Sequence, residues 1–220
     1  IRKDQWGGSL NNRARFVLEV YREIRRQVGS GYPIGIKINS ADFQRGGFTE
    51  KESMEVIRLL GNEGIDLIEI SGGTYEKPAM VQGIQKQSTV SREAYFLDYI
   101  EKARKLIKTP LLLTGGFRTV KVMEKALEDG SLDVVGLARP FCLYPYLANQ
   151  IFDGSVKQFD TPNPRIGIKF LDKLGGVELP WYELQIQRIG NGKSPKTDLS
   201  GIFAFWFSLK SLFFKSFWKN

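Results

Sequence analysis

The 220-residue chain is 42% hydrophobic, enough for one substantial core, and its formal charge is +8. From Gln185 onward, six basic residues face Asp198 alone, so five of those eight charges sit in the tail; this argues against a nucleic-acid surface spread over the fold. With no histidine, His-ligated metal sites and His-based triads are excluded, and the single cysteine, Cys142, forms no internal disulfide and fits a reducing, cytoplasmic setting.

In chain order, the first expected element is a helix with Ser9 as N-cap and Gly29 as terminator, carrying Phe16, Val20, Ile24 and Val28 at i+4 spacing. A buried strand follows at Pro33 to Asn39, and a second helix is capped by Thr49 and patterned by Met54, Ile57, Leu60 and Gly64. The pattern repeats with a strand at Ile65 to Ser71, a helix at Ser91 to Ile107, a strand at Pro110 to Thr114, a helix at Thr119 to Glu128 and a strand at Leu132 to Leu137. Strands and helices alternating at this spacing predict right-handed β-α units on a parallel sheet, satisfied by an open doubly wound sheet or by a barrel.

Chemistry belongs at the carboxyl ends of such strands, and two of those ends are unusual. In LTGGFRT, Gly115 and Gly116 allow close backbone approach to a ligand, and the helix that opens at Thr119 supplies free amides and a positive dipole, which suit phosphate. In VGLARPF, Arg139 offers a forked cation, and Pro140 stands at an expected first helical position. The alternatives are a glycine turn and a surface arginine; together, on consecutive units, the two motifs favour phosphate. Lys37 is flanked by apolar residues on a strand expected to be buried. It reads either as the partner of a neighbouring carboxylate such as Glu69 or as a cation aimed at an electron-rich ligand atom.

The stretch DQWGGSLNNRARF, Asp4 to Phe16, resembles a motif of the old yellow enzyme family of FMN-dependent NAD(P)H:flavin oxidoreductases. IGIKINSADFQRGGF, ISGG, LLTGGFRT and VGLARPFCLYPYL follow in that family's order, and LPWYELQIQRIGNGKSP resembles the terminal region of a subgroup. The resemblance covers Lys3 to Ala148. It implies an α/β fold, a TIM (β/α)8 barrel of the FMN-linked oxidoreductase type, with about the last four β-α units present plus a C-terminal extension. It also implies FMN as cofactor, NADH or NADPH as reductant, and an electron-poor alkene or similar small molecule as acceptor. By the same resemblance, Lys37 stands near the flavin pyrimidine edge, where many members have Arg. Gly115, Gly116, Ala138 and Arg139 surround the FMN phosphate, with Ala138 in place of a customary glycine. The family's substrate-binding pair and proton donor are expected upstream of Ile1, and no tyrosine of this chain matches the donor by motif.

The expected organisation is a half-barrel at 1–152, a family-type extension at 153–199 and an aromatic, basic tail at 200–220. The tail reads as a membrane-interface helix or as a segment docked on the barrel or on a second copy, with a transmembrane span ranked behind because Lys210 and Lys215 interrupt it. Four strands cannot close a barrel of this type, so the chain is expected to be part of a longer protein or to pair with another half. The contrasting functional reading is a non-catalytic half-barrel that binds a phosphorylated ligand or a partner chain. Other phosphate-binding barrels, such as the dihydroorotate dehydrogenases, stand further off because the helix-entry motif counts against them.

Overall fold

The computed structural model describes residues 2–71, 89–168 and 177–207, with side chains in the third helix described only from Leu97 onward. The chain divides into two compact units, Ile1–Gly136 and Leu137–Asn220. In the first, α1 (Leu10–Val28), β1 (Gly35–Asn39), α2 (Glu50–Asn62), β2 (Leu67–Ser71), α3 (Thr89–Arg104), β3 (Leu111–Thr114), α4 (Val120–Glu128) and β4 (Val134–Gly136) alternate. The four strands form one parallel sheet in the order β1-β2-β3-β4. A doubly wound sheet reverses its strand order part-way. Strict sequential order with crossovers of one hand instead stacks successive helices on one face, the arrangement of a barrel wall.

Strand alternation assigns the two faces. Ile68, Ile70, Leu111 and Leu113 are fully or almost fully buried, and the helices contribute Ile57, Leu60, Tyr99, Ile100, Met123 and Ala126 to the same core. The opposite face carries Lys37, Glu69, Leu112 and Val134 in one row and Asn39, Ser71, Thr114 and Gly136 around the strand ends. Behind β1, buried Ser53 donates to Asn39 O at 2.6 Å and shares a 2.6 Å hydrogen bond with Tyr99, which fixes α2 and α3 against the end of the strand.

One device sets the register twice. Asp66, just before β2, accepts from Ile34 N at 2.7 Å, returns its own N–H to Ile34 O at 3.1 Å, and pairs with Arg25 in the last turn of α1. Asp133, just before β4, accepts from Leu111 N at 2.8 Å, donates its N–H to Leu111 O at 2.9 Å, and pairs with Arg104 at the end of α3. Each aspartate therefore ties the end of a helix to the start of the strand that follows it and to its own strand.

The glycine-rich entry into α1 is a structural clasp. Ser9 caps the helix by accepting from Asn12 N at 3.3 Å. The side chains of Asn12, Arg13 and Arg15 reach back to the carbonyls of Gly7, Gly8 and Gln5 at 3.0, 3.1 and 3.0 Å. Arg13 also pairs with Glu52 at 2.5 Å, and Glu52 completes a capping box with Thr49. The i+4 stripe behaves differently from the usual core-facing row. Ala14, Leu18 and Tyr21 are the buried residues of α1, whereas Phe16, Val20, Ile24 and Val28 are exposed, Phe16 at 68%. Ala14, Leu18 and Tyr21 form an i, i+4, i+7 row of their own, and this row is the one buried; Tyr21 donates to Glu63 O at 3.2 Å at the end of α2, and the ion pairs Arg13–Glu52, Arg22–Glu63 and Arg25–Asp66 flank it.

In the second unit, a 3-10 turn at Arg139–Cys142 and a short helix α5 (Leu147–Phe152) precede α6 (Glu178–Gly190). Trp181, fully buried, meets Tyr182 edge to face at 5.0 Å and donates to Leu199 O at 2.7 Å, while Tyr182 donates to Pro162 O at 2.8 Å. Leu143, Ile166, Val177 and Ala204 complete this core. Residues 201–207 begin a helix whose Ala204 packs into it, so the first turns of the tail are docked within this unit; residues 208–220 lie outside the described residues. Among the described residues no helix is long and apolar enough to cross a membrane.

Replacing Asp133 by Ala leaves the amide of fully buried Leu111 without its carboxylate acceptor and is expected to lower stability by about 1–3 kcal/mol in a urea titration. Acid should loosen α1 first. Arg22 holds the Glu63 carboxyl below its ordinary range, and the Ile34 amide together with Arg25 does the same for Asp66. A depressed folded-state pKa gives stability that is complete at neutral pH and lost as pH falls through that pKa. Protection factors of the α1 amides, taken relative to the intrinsic exchange rate at each pH, should therefore fall only below about pH 4 and stay level between pH 6 and 8.

Candidate functional site

The strand ends of the first unit present a glycine pair where sequence spacing places it. Gly115 and Gly116 follow β3 directly with φ values of 101° and 87°, a left-handed conformation that side-chain-bearing residues adopt only with strain. Gly115 N donates to Gly136 O at 3.4 Å, which holds the turn against β4. Helix α4 opens at once behind it with Thr119 at the N-cap position, so the turn leads into a helix N-terminus as expected. Gly136 is required by packing: a Cβ there would fall 2.1 Å from Thr114 Oγ1.

At the end of β1, Phe43 has φ 57°, the only positive value outside glycine among the described residues, in a loop pinned by Asp42, which accepts from Phe48 N at 2.9 Å. Strain of this kind is tolerated at ligand-facing loops more than elsewhere. Composition gave no signal for it.

Lys37 is where the sequence places it in register but not in burial. Alternation along β1 puts its side chain on the face away from the helices, where it is 54% exposed, and its Nζ lies 2.6 Å from Glu69 Oε1 on the directly opposed residue of β2. The expected cost of burying an ammonium therefore does not arise. The carboxylate partner foreseen for it is present, on the same face.

Within the second unit, Ala138 precedes the 3-10 turn and Arg139 opens it, with Pro140 second. The turn spans four residues, shorter than the helix that Pro140 signalled. Arg139 is largely covered, and Glu178 at the start of α6 lies 2.5 Å from its Nη1 as one of its partners. Sequence reasoning did not find Glu178, because a separation of 39 residues carries no periodic signal. Cys142 is half-buried, and burial pushes its thiol up, so it remains protonated at neutral pH and offers no reactive thiolate. Among the described residues no cluster of acids and cysteine could hold a metal ion.

Residues 1–158 match the model of the NADH:flavin oxidoreductase / NADH oxidase family. The chain belongs to this family. It is 37% identical over 186 residues to the NADH-dependent flavin oxidoreductase iliE of Hypocrea jecorina, an alignment covering 80% of this chain and 46% of that protein. The chain thus spans about half the length of the curated relatives it matches most fully. Among solved structures it resembles a 2-naphthoyl-CoA reductase in complex with 2-naphthoyl-CoA, with TM-score 0.63 and 34% identity, over 70% of this chain and 23% of that one. The old yellow enzyme homologue of Zymomonas mobilis shares the fold, with TM-score 0.52 and 22% identity over 72% of this chain and 42% of that one. The parallel four-stranded sheet is therefore part of an old yellow enzyme-like TIM barrel.

The residues present fit a phosphate-bearing flavin. In the first unit two consecutive left-handed glycines, with no Cβ to bar close approach, lead into a helix N-terminus; in the second, the Arg139 guanidinium follows β4 by three residues in sequence. Because φ at Gly116 is 87°, Gly116→Ala is expected to cost about 1–2 kcal/mol in backbone strain, read as a lower midpoint in a urea titration.

Proposed function

We propose that this chain supplies the phosphate- and pyrimidine-facing half of the FMN site in an NADH-dependent flavin oxidoreductase whose acceptor is an electron-poor alkene or a similarly activated unsaturated compound. The observation that carries this reading is the left-handed Gly115–Gly116 turn leading into α4, inside the segment matched to the family. In this reading the Gly115–Gly116 turn, Ala138 and the guanidinium of Arg139 hold the FMN phosphate, and Lys37 faces the pyrimidine edge. When bound, FMN would supply the electron transfer from nicotinamide to acceptor. The chain's own residues bind and orient it.

The acceptor class is supported by the names of two relatives, a cinnamate reductase of Clostridium sporogenes and a multifunctional alkene reductase/demethylase of Caballeronia cordobensis. Within the proposal, 1–152 forms barrel wall and cofactor site, 153–199 forms the extension that carries Glu178 behind Arg139, and 200–220 is a tail whose first turns dock on that extension. The pair with Glu178 gives Arg139 a fixed orientation. Two residues with side chains 22% and 13% exposed are held together there, so the guanidinium is placed before any anion arrives.

The purified protein should carry a visible flavin spectrum that NADH bleaches under anaerobic conditions and an enone restores. Arg139→Ala should lower FMN affinity by about ten- to a hundredfold, the usual range for a charge-assisted contact to phosphate, with the protein still folded by circular dichroism. Unchanged flavin retention in that variant would remove Arg139 from the phosphate site.

A further inference from the structure

The row of side chains across the open sheet face is Lys37, Glu69, Leu112 and Val134, each directly opposed to the next in strand register. In that row Lys37 is the one cation and Glu69 the one anion. Their neighbours toward the strand ends are neutral: Asn39, Ser71, Thr114 and Gly136, with Ser71 Oγ donating to Asn39 Oδ1 at 3.1 Å. Stability does not account for the carboxylate. An ion pair this open contributes about 0–1 kcal/mol, and a β2 residue beside Leu112 would pack as well with an apolar side chain. The pair is also spatially specific. The 2.6 Å contact draws the Lys37 ammonium sideways onto β2, along the sheet.

We propose that Glu69 is a positioning residue for the flavin: it holds the Lys37 ammonium to one side of the pyrimidine edge and offsets part of its positive field, and so sets the reduction potential of the bound FMN. This rests on the placement of Lys37 in the proposed function. A flavin ring gains negative charge on reduction, so a nearby cation favours the reduced form and raises the midpoint potential, while a carboxylate beside that cation opposes it. Glu69 acts through both distance and charge. Without it the ammonium is free to move toward the ring, and its field is no longer offset.

The experiment is a set of midpoint potentials measured on the FMN-loaded protein by equilibration with reference dyes. Glu69→Gln is expected to favour reduced over oxidised FMN by on the order of tenfold, a positive shift of about 30 mV for a two-electron couple. Glu69→Asp should shift in the same direction by less, because a carboxylate one methylene shorter still faces the ammonium. Lys37→Gln should shift negative. In the Lys37→Gln background, the added Glu69→Gln change should move the potential by clearly less than it does in the native protein, since its principal target is gone.

Glu69→Gln protein that binds FMN stoichiometrically with an unchanged or more negative potential overturns the inference and leaves the functional reading standing. Equal shifts in both backgrounds overturn the positioning role. Should Glu69→Gln fail to retain FMN, the sign of the Glu69→Asp shift decides: positive supports the inference, zero or negative overturns it. Failure of the native protein to bind FMN would overturn the functional reading first, and this inference with it.

Discussion

The arrangement of the first unit depends on the register clamp made by Asp66 and Asp133. Each carboxylate takes the first amide of the preceding strand and a guanidinium from the helix before it, while the backbone N–H of the same aspartate bonds back to that strand. Strand side chains alternate with a period of two, so a slip of one residue would exchange the faces of β1 and β2. Lys37 and Glu69 would then turn into the helix-covered core, and Ile36, Ile38, Ile68 and Ile70 would turn outward. The chemistry of the open face is thus downstream of two aspartates at the other end of the strands.

That division of labour runs through the whole unit. The amino ends of the strands carry the aspartate clamps that set register. The carboxyl ends carry the features that cost stability: consecutive left-handed glycines, a strained Phe43, and glycine at 136 where any side chain would strike Thr114. A barrel of this family places its ligands at the carboxyl ends, and the distribution of strain in this chain follows that polarity.

Both cations proposed to face the cofactor have acidic partners. Lys37 has Glu69 across the strand pair, and Arg139 has Glu178 from the extension helix. The two pairs differ in kind. Lys37–Glu69 is the more open and contributes little to folding. Arg139–Glu178 is largely covered and anchors the start of α6, next to a core in which Trp181 is fully buried. The extension is therefore joined to the phosphate-binding candidate by a direct ion pair.

The strands, the caps at Ser9 and Thr49, and the glycine turn after β3 were legible in the sequence, because each is a local event. Hydrogen bonds within three residues fix a cap, and steric limits on φ fix where two glycines are needed. The parallel sheet followed from the spacing of β-α units, and the family from the order of several motifs. Register and facing were not local. The exposed stripe of Phe16, Val20, Ile24 and Val28 has the spacing of a buried face, but so does the row of Ala14, Leu18 and Tyr21, and only the packing partners decide that the second row turns inward. Glu178 behind Arg139, and the exposure of Lys37 on a strand that reads as buried, likewise come from residues far apart in sequence. Sequence by itself determined what each segment could become, through propensity, capping and backbone sterics. The tertiary structure alone decided which charges meet and which face remains open, because Coulomb and packing forces act across contacts that no local pattern encodes.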